Sequence, residues 1–175
     1  MLGLSGGITG TTKADRILKS EFYTFESSVS PWTASSVEGT LTMQAGQSAP
    51  GSSDSDWMKC TYDTNQTSVS GIRVVSWASG IIAVDDVLTV TCDLHLVDDS
   101  GKWGTDPPIN FRAQIGGAIG TSAVALDTTS INHTFTVTAA STANQLLIEV
   151  HTPADRPQAG GVFYIRNIRA TLKRP

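Results

Sequence analysis

Charge is what this chain has least of. Only 16% of its 175 residues are Asp, Glu, Lys or Arg, against about 25% in an ordinary globular protein. The 12 basic and 16 acidic side chains leave a net charge of −4. A protein that grips nucleic acid needs a basic face to neutralise phosphates, so no nucleic-acid partner is expected. Cysteine is almost absent, at two residues, which excludes a disulfide-stapled scaffold. With no histidine or second thiol at ligand spacing, the cysteines make no zinc site. Long apolar runs are missing too. Stretches such as Gly80 to Val84 fall far short of the roughly 20 residues a membrane helix needs, so no membrane partner is expected. Met1 to Thr12 has neither the basic start nor the apolar core of a secretory signal. The expectation is therefore synthesis in a cytoplasm, with Cys60 and Cys92 kept as thiols. A bridge between them remains the alternative, should adjacent strands bring them together. Finally, no long segment carries an apolar stripe with a 3.6-residue period, which removes helical architectures.

What the chain does have is alternation. Leu88, Val90, Cys92, Leu94 and Leu96 are separated by Thr89, Thr91, Asp93 and His95. That is the period of a strand with one face buried and one face wet. The same pattern recurs at Met58, Cys60 and Tyr62; at Ile72, Val74 and Ser76; and at Phe111, Ala113 and Ile115. It appears again at Phe135 and Val137, and at Leu146, Ile148 and Val150. Turn chemistry separates these runs: Ala49 to Asp54, Asp98-Asp99-Ser100-Gly101, Thr105-Asp106-Pro107-Pro108 and Pro153 to Gly161, all rich in residues that favour turns. About eight or nine short antiparallel strands at this spacing predict an all-β sandwich of jelly-roll type. A chain of this length buries roughly 70% of its unfolded surface, enough for one domain. The expected organisation is a flexible arm over residues 1–17, anchored by Leu2, Leu4 and Ile8, followed by a sandwich over residues 18–175. The first and last strands are expected to be neighbours, which hides sheet edges.

Chemistry is harder to find. Glycoside hydrolysis needs two carboxylates facing one cleft, whereas Asp85-Asp86, Asp98-Asp99 and Asp106 lie in turns where Asp is ordinary. His95, His133 and His151 lack the partners of a triad, and no Gly-x-Ser-x-Gly elbow exists. Gly116-Gly117-Ala118-Ile119-Gly120 lacks the lysine of a phosphate loop and reads as a turn. No catalytic residue and no metal ligand are predicted. The side chains suited to a sugar face or a protein interface are Trp103, Trp57, Trp32 and Tyr62. Trp103 is foremost, in the polar loop Ser100 to Gly104, and Trp57 has outward parity on its strand.

Two resemblances extend this reading. Phe25-Glu26 and Trp32 near the start, Trp57-Met58-Lys59-Cys60, the strand Val87 to Leu96, Thr134-Phe135-Thr136-Val137 and the closing Gly161 to Leu172 resemble, in order and spacing, the carbohydrate-binding-module 4/9 group of galactose-binding-like jelly rolls. That group implies a structural calcium near Glu26 and the Arg166-Asn167 pair. Arg166 places a cation where a ligand would stand, so no cofactor is expected and a Glu26–Arg166 ion pair would replace the metal. The layout of a short Gly/Ser/Thr leader and one jelly roll also resembles small virion proteins of tailed bacteriophages. That likeness implies a non-enzymatic virion structural protein, a capsid decoration or head-fibre protein in preference to a tail accessory. It would bind other virion subunits, form a homo-oligomer (a trimer among the options), and be located in the virion. The alternative is a carbohydrate-binding module or adhesin for a bacterial or environmental polysaccharide.

Overall fold

The alternating run from Leu88 to Leu96 forms the spine of the molecule. All five of its apolar side chains are at most 1% exposed. The computed structural model describes residues 15–35, 41–97, 101–104, 108–151, 154 and 156–175. Among them eleven strands occur in chain order: β1 (Arg16–Tyr23), β2 (Thr33–Ser35), β3 (Leu41–Gln47), β4 (Trp57–Tyr62), β5 (Gly71–Val74), β6 (Val87–Leu96), β7 (Ile109–Ile115), β8 (Ala118–Val124), β9 (Thr129–Thr138), β10 (Leu146–Val150) and β11 (Val162–Arg174). Among the described residues no helix is long and apolar enough to cross a membrane.

The strands form two antiparallel sheets, a sandwich consistent with a jelly roll. One runs β3-β4-β11-β6-β9, with β1 also paired to β11; the other runs β2-β5-β10-β7-β8. The first and last strands are neighbours, with Arg16 opposite Arg174 and Tyr23 opposite Ile168. Three strands carry the count beyond eight or nine. They are β2, of three residues, and β3 and β8, whose Gly, Thr, Ser and Gln break the apolar alternation. β1 begins at Arg16, inside the stretch read as an arm, while Leu2, Leu4 and Ile8 lie outside the described residues. So do Asp98, Asp99 and Asp106.

Inward-facing residues of both sheets meet in one core. Phe163 of β11 and Phe111 of β7 touch edge to face across the layers at 5.5 Å, a favoured aromatic geometry. Tyr62 and Trp103 extend the cluster, with ring centroids 6.3 Å apart. Gly116 and Gly117, both with positive φ, make the two-residue turn between β7 and β8, the backbone conformation of a tight hairpin.

Cys60 and Cys92 are both free and buried. Phe163 is opposite Cys60 on one side and Leu96 on the other, so β11 lies between β4 and β6. At about 4.8 Å per strand the two cysteine strands are roughly 10 Å apart, beyond the roughly 7 Å Cα limit for a bridge. Burial pushes both thiols well above their ordinary pKa.

Candidate binding face

The four aromatic candidates read from the sequence are all buried. Trp103 is 7% exposed rather than open. Its Nε1–H donates to the Val97 carbonyl at 3.1 Å, and its ring packs between Tyr62 and Phe111. The loop residues around it carry the polarity while the indole closes the end of the core. Trp57 has the outward parity expected of it, yet is 1% exposed, because the Arg166 guanidinium lies 4.5 Å over its ring. Trp32 is 2% exposed and meets Tyr23 edge-on. Tyr62 is fully buried, its hydroxyl donating to the Ser70 carbonyl.

The expected Glu26–Arg166 pair does not form. Arg166 instead reaches Asp54 at 2.7 Å, Asp56 at 2.8 Å and Asp93 at 3.1 Å, while Glu26 is exposed. Burial alone would lower the guanidinium pKa, but hydrogen bonds to the three carboxylates raise it above its ordinary value. Asp93 also accepts from Asn167 Nδ2 and from the Asn132 backbone N–H. Asp93 therefore serves this node and not His95, which hydrogen-bonds Thr129. Burial lowers the pKa of both His95 and His133. Among the described residues no group of three or more His, Cys, Asp or Glu stands ready to hold a metal.

A polar surface that the sequence reading did not single out lies on the outer face of the five-stranded sheet. Its geometry follows from register. Arg73 of β5 is opposite Leu147 of β10, which is opposite Gln114 of β7. One step along, Ser35 of β2 is opposite Gly71, then Glu149, then Arg112. Gly71 is required here: a Cβ on it would come within 2.2 Å of the Ile148 carbonyl oxygen and 2.6 Å of the Glu149 Cβ. With no side chain at that position, the Glu149 carboxylate accepts from Ser35 Oγ at 3.2 Å on one side and Arg112 Nη2 at 2.9 Å on the other. Glu149 is 2% exposed. A carboxylate so enclosed is tolerated in a fold when it is paired and hydrogen-bonded, as this one is.

Arg73 differs from Arg112. Among the described residues no ion pair involves it, and its Nε is buried with no hydrogen-bond partner; Arg112 Nε shares that second condition. Among the described residues, two arginines stand against one glutamate on this face, on a chain whose net charge is −4.

At one end of the row Arg73–Leu147–Gln114 the surface dips into a pocket of about 260 Å³. Gln114 and Leu147 form its sheet side, and Gly117, Asn144 and Gln145 are among the residues closing it. The β7–β8 turn and the segment before β10 are tied together beside it by Gly116 N–H to the Ala143 carbonyl and Ala140 N–H to the Gly116 carbonyl. Three side-chain amides beside one leucine can both donate to and accept from hydroxyls against an apolar patch. The signal that would have found these residues is the outward parity of Arg112 and Gln114 between Phe111, Ala113 and Ile115.

No family model and no curated protein matches the chain. Solved structures do. The chain superposes with a TM-score of 0.54 and 11% identity on the C-terminal family 22 carbohydrate-binding module of Clostridium thermocellum Xyn10B, covering 86% of this chain and 92% of that one. It matches the CBM22-1 xylan-binding domain of Paenibacillus barcinonensis Xyn10C with a TM-score of 0.51 and 15% identity, covering 91% and 96%. A TM-score of 0.59 at 10% identity relates it to arabinose-bound MgGH51 α-L-arabinofuranosidase, where 82% of this chain corresponds to only 23% of that chain. At these identities the likeness is one of fold alone, a β-sandwich of the kind that carbohydrate-binding modules adopt.

Proposed function

We propose that this domain is a non-catalytic glycan-binding module that lays a polysaccharide across the outer face of its five-stranded sheet. The observation that carries the reading is the amide-lined pocket opening directly onto the row Gln114–Leu147–Arg73. The fold shared with a xylan-binding domain supports it. A non-catalytic role is favoured by the state of Glu149, the acidic residue of this face among the described residues, held in an ion pair with Arg112. Hydrolysis of a glycosidic bond calls for a second carboxylate about 5–10 Å away across the substrate. The virion role expected from the sequence draws on the leader, whose first 14 residues lie outside the described ones, and no observation among the described residues favours it over sugar binding.

Affinity gel electrophoresis against a panel of soluble polysaccharides, xylans included, tests the reading. Retardation on at least one polymer is expected. The double substitution Gln114→Ala with Asn144→Ala should weaken it about tenfold, the effect of losing roughly 1.4 kcal/mol of hydrogen bonding. Trp103→Phe should leave affinity unchanged in a folded protein, because that indole is inside. Unretarded migration on every polymer would end the proposal.

A further inference from the structure

Resting on the glycan-binding reading, we propose that the glycan is acidic: its repeating unit carries a uronate carboxylate, and Arg73 is the residue that receives it.

Among the described residues no acidic side chain pairs with Arg73. Its Nε is buried and has no hydrogen-bond partner among the described residues. The guanidinium is a planar fork of donors whose geometry matches a carboxylate in two parallel hydrogen bonds. Arg112, the other cation of the face, already gives Nη2 to Glu149.

Position agrees with charge. Leu147 lines the pocket and is the cross-strand partner of Arg73. Arg73 is therefore about one strand spacing, roughly 5 Å, from the pocket wall. A sugar with its hydroxyls among Gln114, Asn144 and Gln145 would have a carboxylate on the same ring, or on a side branch, within reach of Arg73. No outward position of β5, β10 or β7 is aromatic. Stacking on a sugar face, which would suit a neutral glycan, is not offered there, and a charge-assisted bond is.

The test compares glucuronoxylan and polygalacturonate with the same polymers after chemical reduction of their carboxyl groups, by isothermal titration calorimetry on the full chain. A sulfated dextran serves as a non-planar anion. Expected are an affinity about tenfold higher for at least one acidic polymer than for its reduced form, and a loss of that advantage at high salt. Arg73→Gln should erase the difference while keeping the wild-type circular dichroism spectrum, and Arg73→Lys should retain part of it. Equal binding of acidic and reduced polymers, with Gln114→Ala still weakening both, overturns the inference and leaves the glycan-binding reading standing. Equal binding of sulfated dextran overturns the choice of a carboxylate. Absence of binding to every polymer overturns the inference and the reading together.

Discussion

Asp86 is 1% exposed, although it sits in a turn where an aspartate would ordinarily be solvated. Its two carboxylate oxygens accept from Arg174 Nε and Nη2, both at 2.8 Å, and one also takes the Ala83 N–H. The Arg174 bonds foremost, then the backbone donor, hold its pKa below the usual carboxylate range against the effect of burial. A carboxylate depressed in the folded state adds stability above its unfolded pKa and loses it as pH falls through the folded value. The melting temperature should therefore fall as pH drops below about 4. Asp86→Asn should flatten that fall while lowering stability at neutral pH, as measured by thermal unfolding across a pH series. Residue types in the sequence pointed to a turn here, and it is one. What they could not show was the partner, 88 positions away. The burial of Trp103 was hidden for a related reason: polar neighbours describe the chain around it, whereas Tyr62 and Phe111 from distant strands enclose the ring.

β11 is the element that organises the six-stranded sheet. Its first half pairs with β4, from Val162 to Ile165, and its second half with β1, from Ile168 to Arg174; β6 runs along its other edge. The handover falls at a bulge between Arg166 and Arg169, with Asn167 at φ 51°. Where the ladder is interrupted, side chains take over, and Arg166 and Asn167 bind Asp54, Asp56 and Asp93. Arg166→Met would strand these carboxylates, of which the Asp93 side chain is only 5% exposed. The cost should be about 3 kcal/mol, at the lower end for a broken buried pair because Asp54 is open to water and screened. Urea unfolding reads it, and a change under about 0.5 kcal/mol would mean the node is ornamental. The strand itself was legible, since Phe163, Ile165, Ala170 and Leu172 announce it. The bulge was not: one extra residue inverts inward and outward parity without leaving a compositional mark.

For the molecule as a whole, the antiparallel sandwich was readable because alternation is a local property of each strand. The strand order was not, since pairing β10 between β5 and β7 depends on contacts far apart in sequence. The candidate face shared that fate. Arg73, Leu147 and Gln114 become neighbours only once three strands are in register. The two layers are held by aromatic contact, and Phe163→Ala tests how much rests on it. Truncating this fully buried ring should cost about 3–5 kcal/mol, a large part of the 5–15 kcal/mol typical of a domain. The urea midpoint should drop with an unchanged slope.

The pairing of Arg16 with Arg174 also decides how the described fold carries tension. Pulled between those two points, the β1–β11 ladder meets the load one rung at a time and peels. It does not resist in shear with all its rungs together. A tether that transmits force through both ends would therefore yield at low load, whereas attachment through one end alone would leave the ladder unloaded and the sheet presented as a stiff platform.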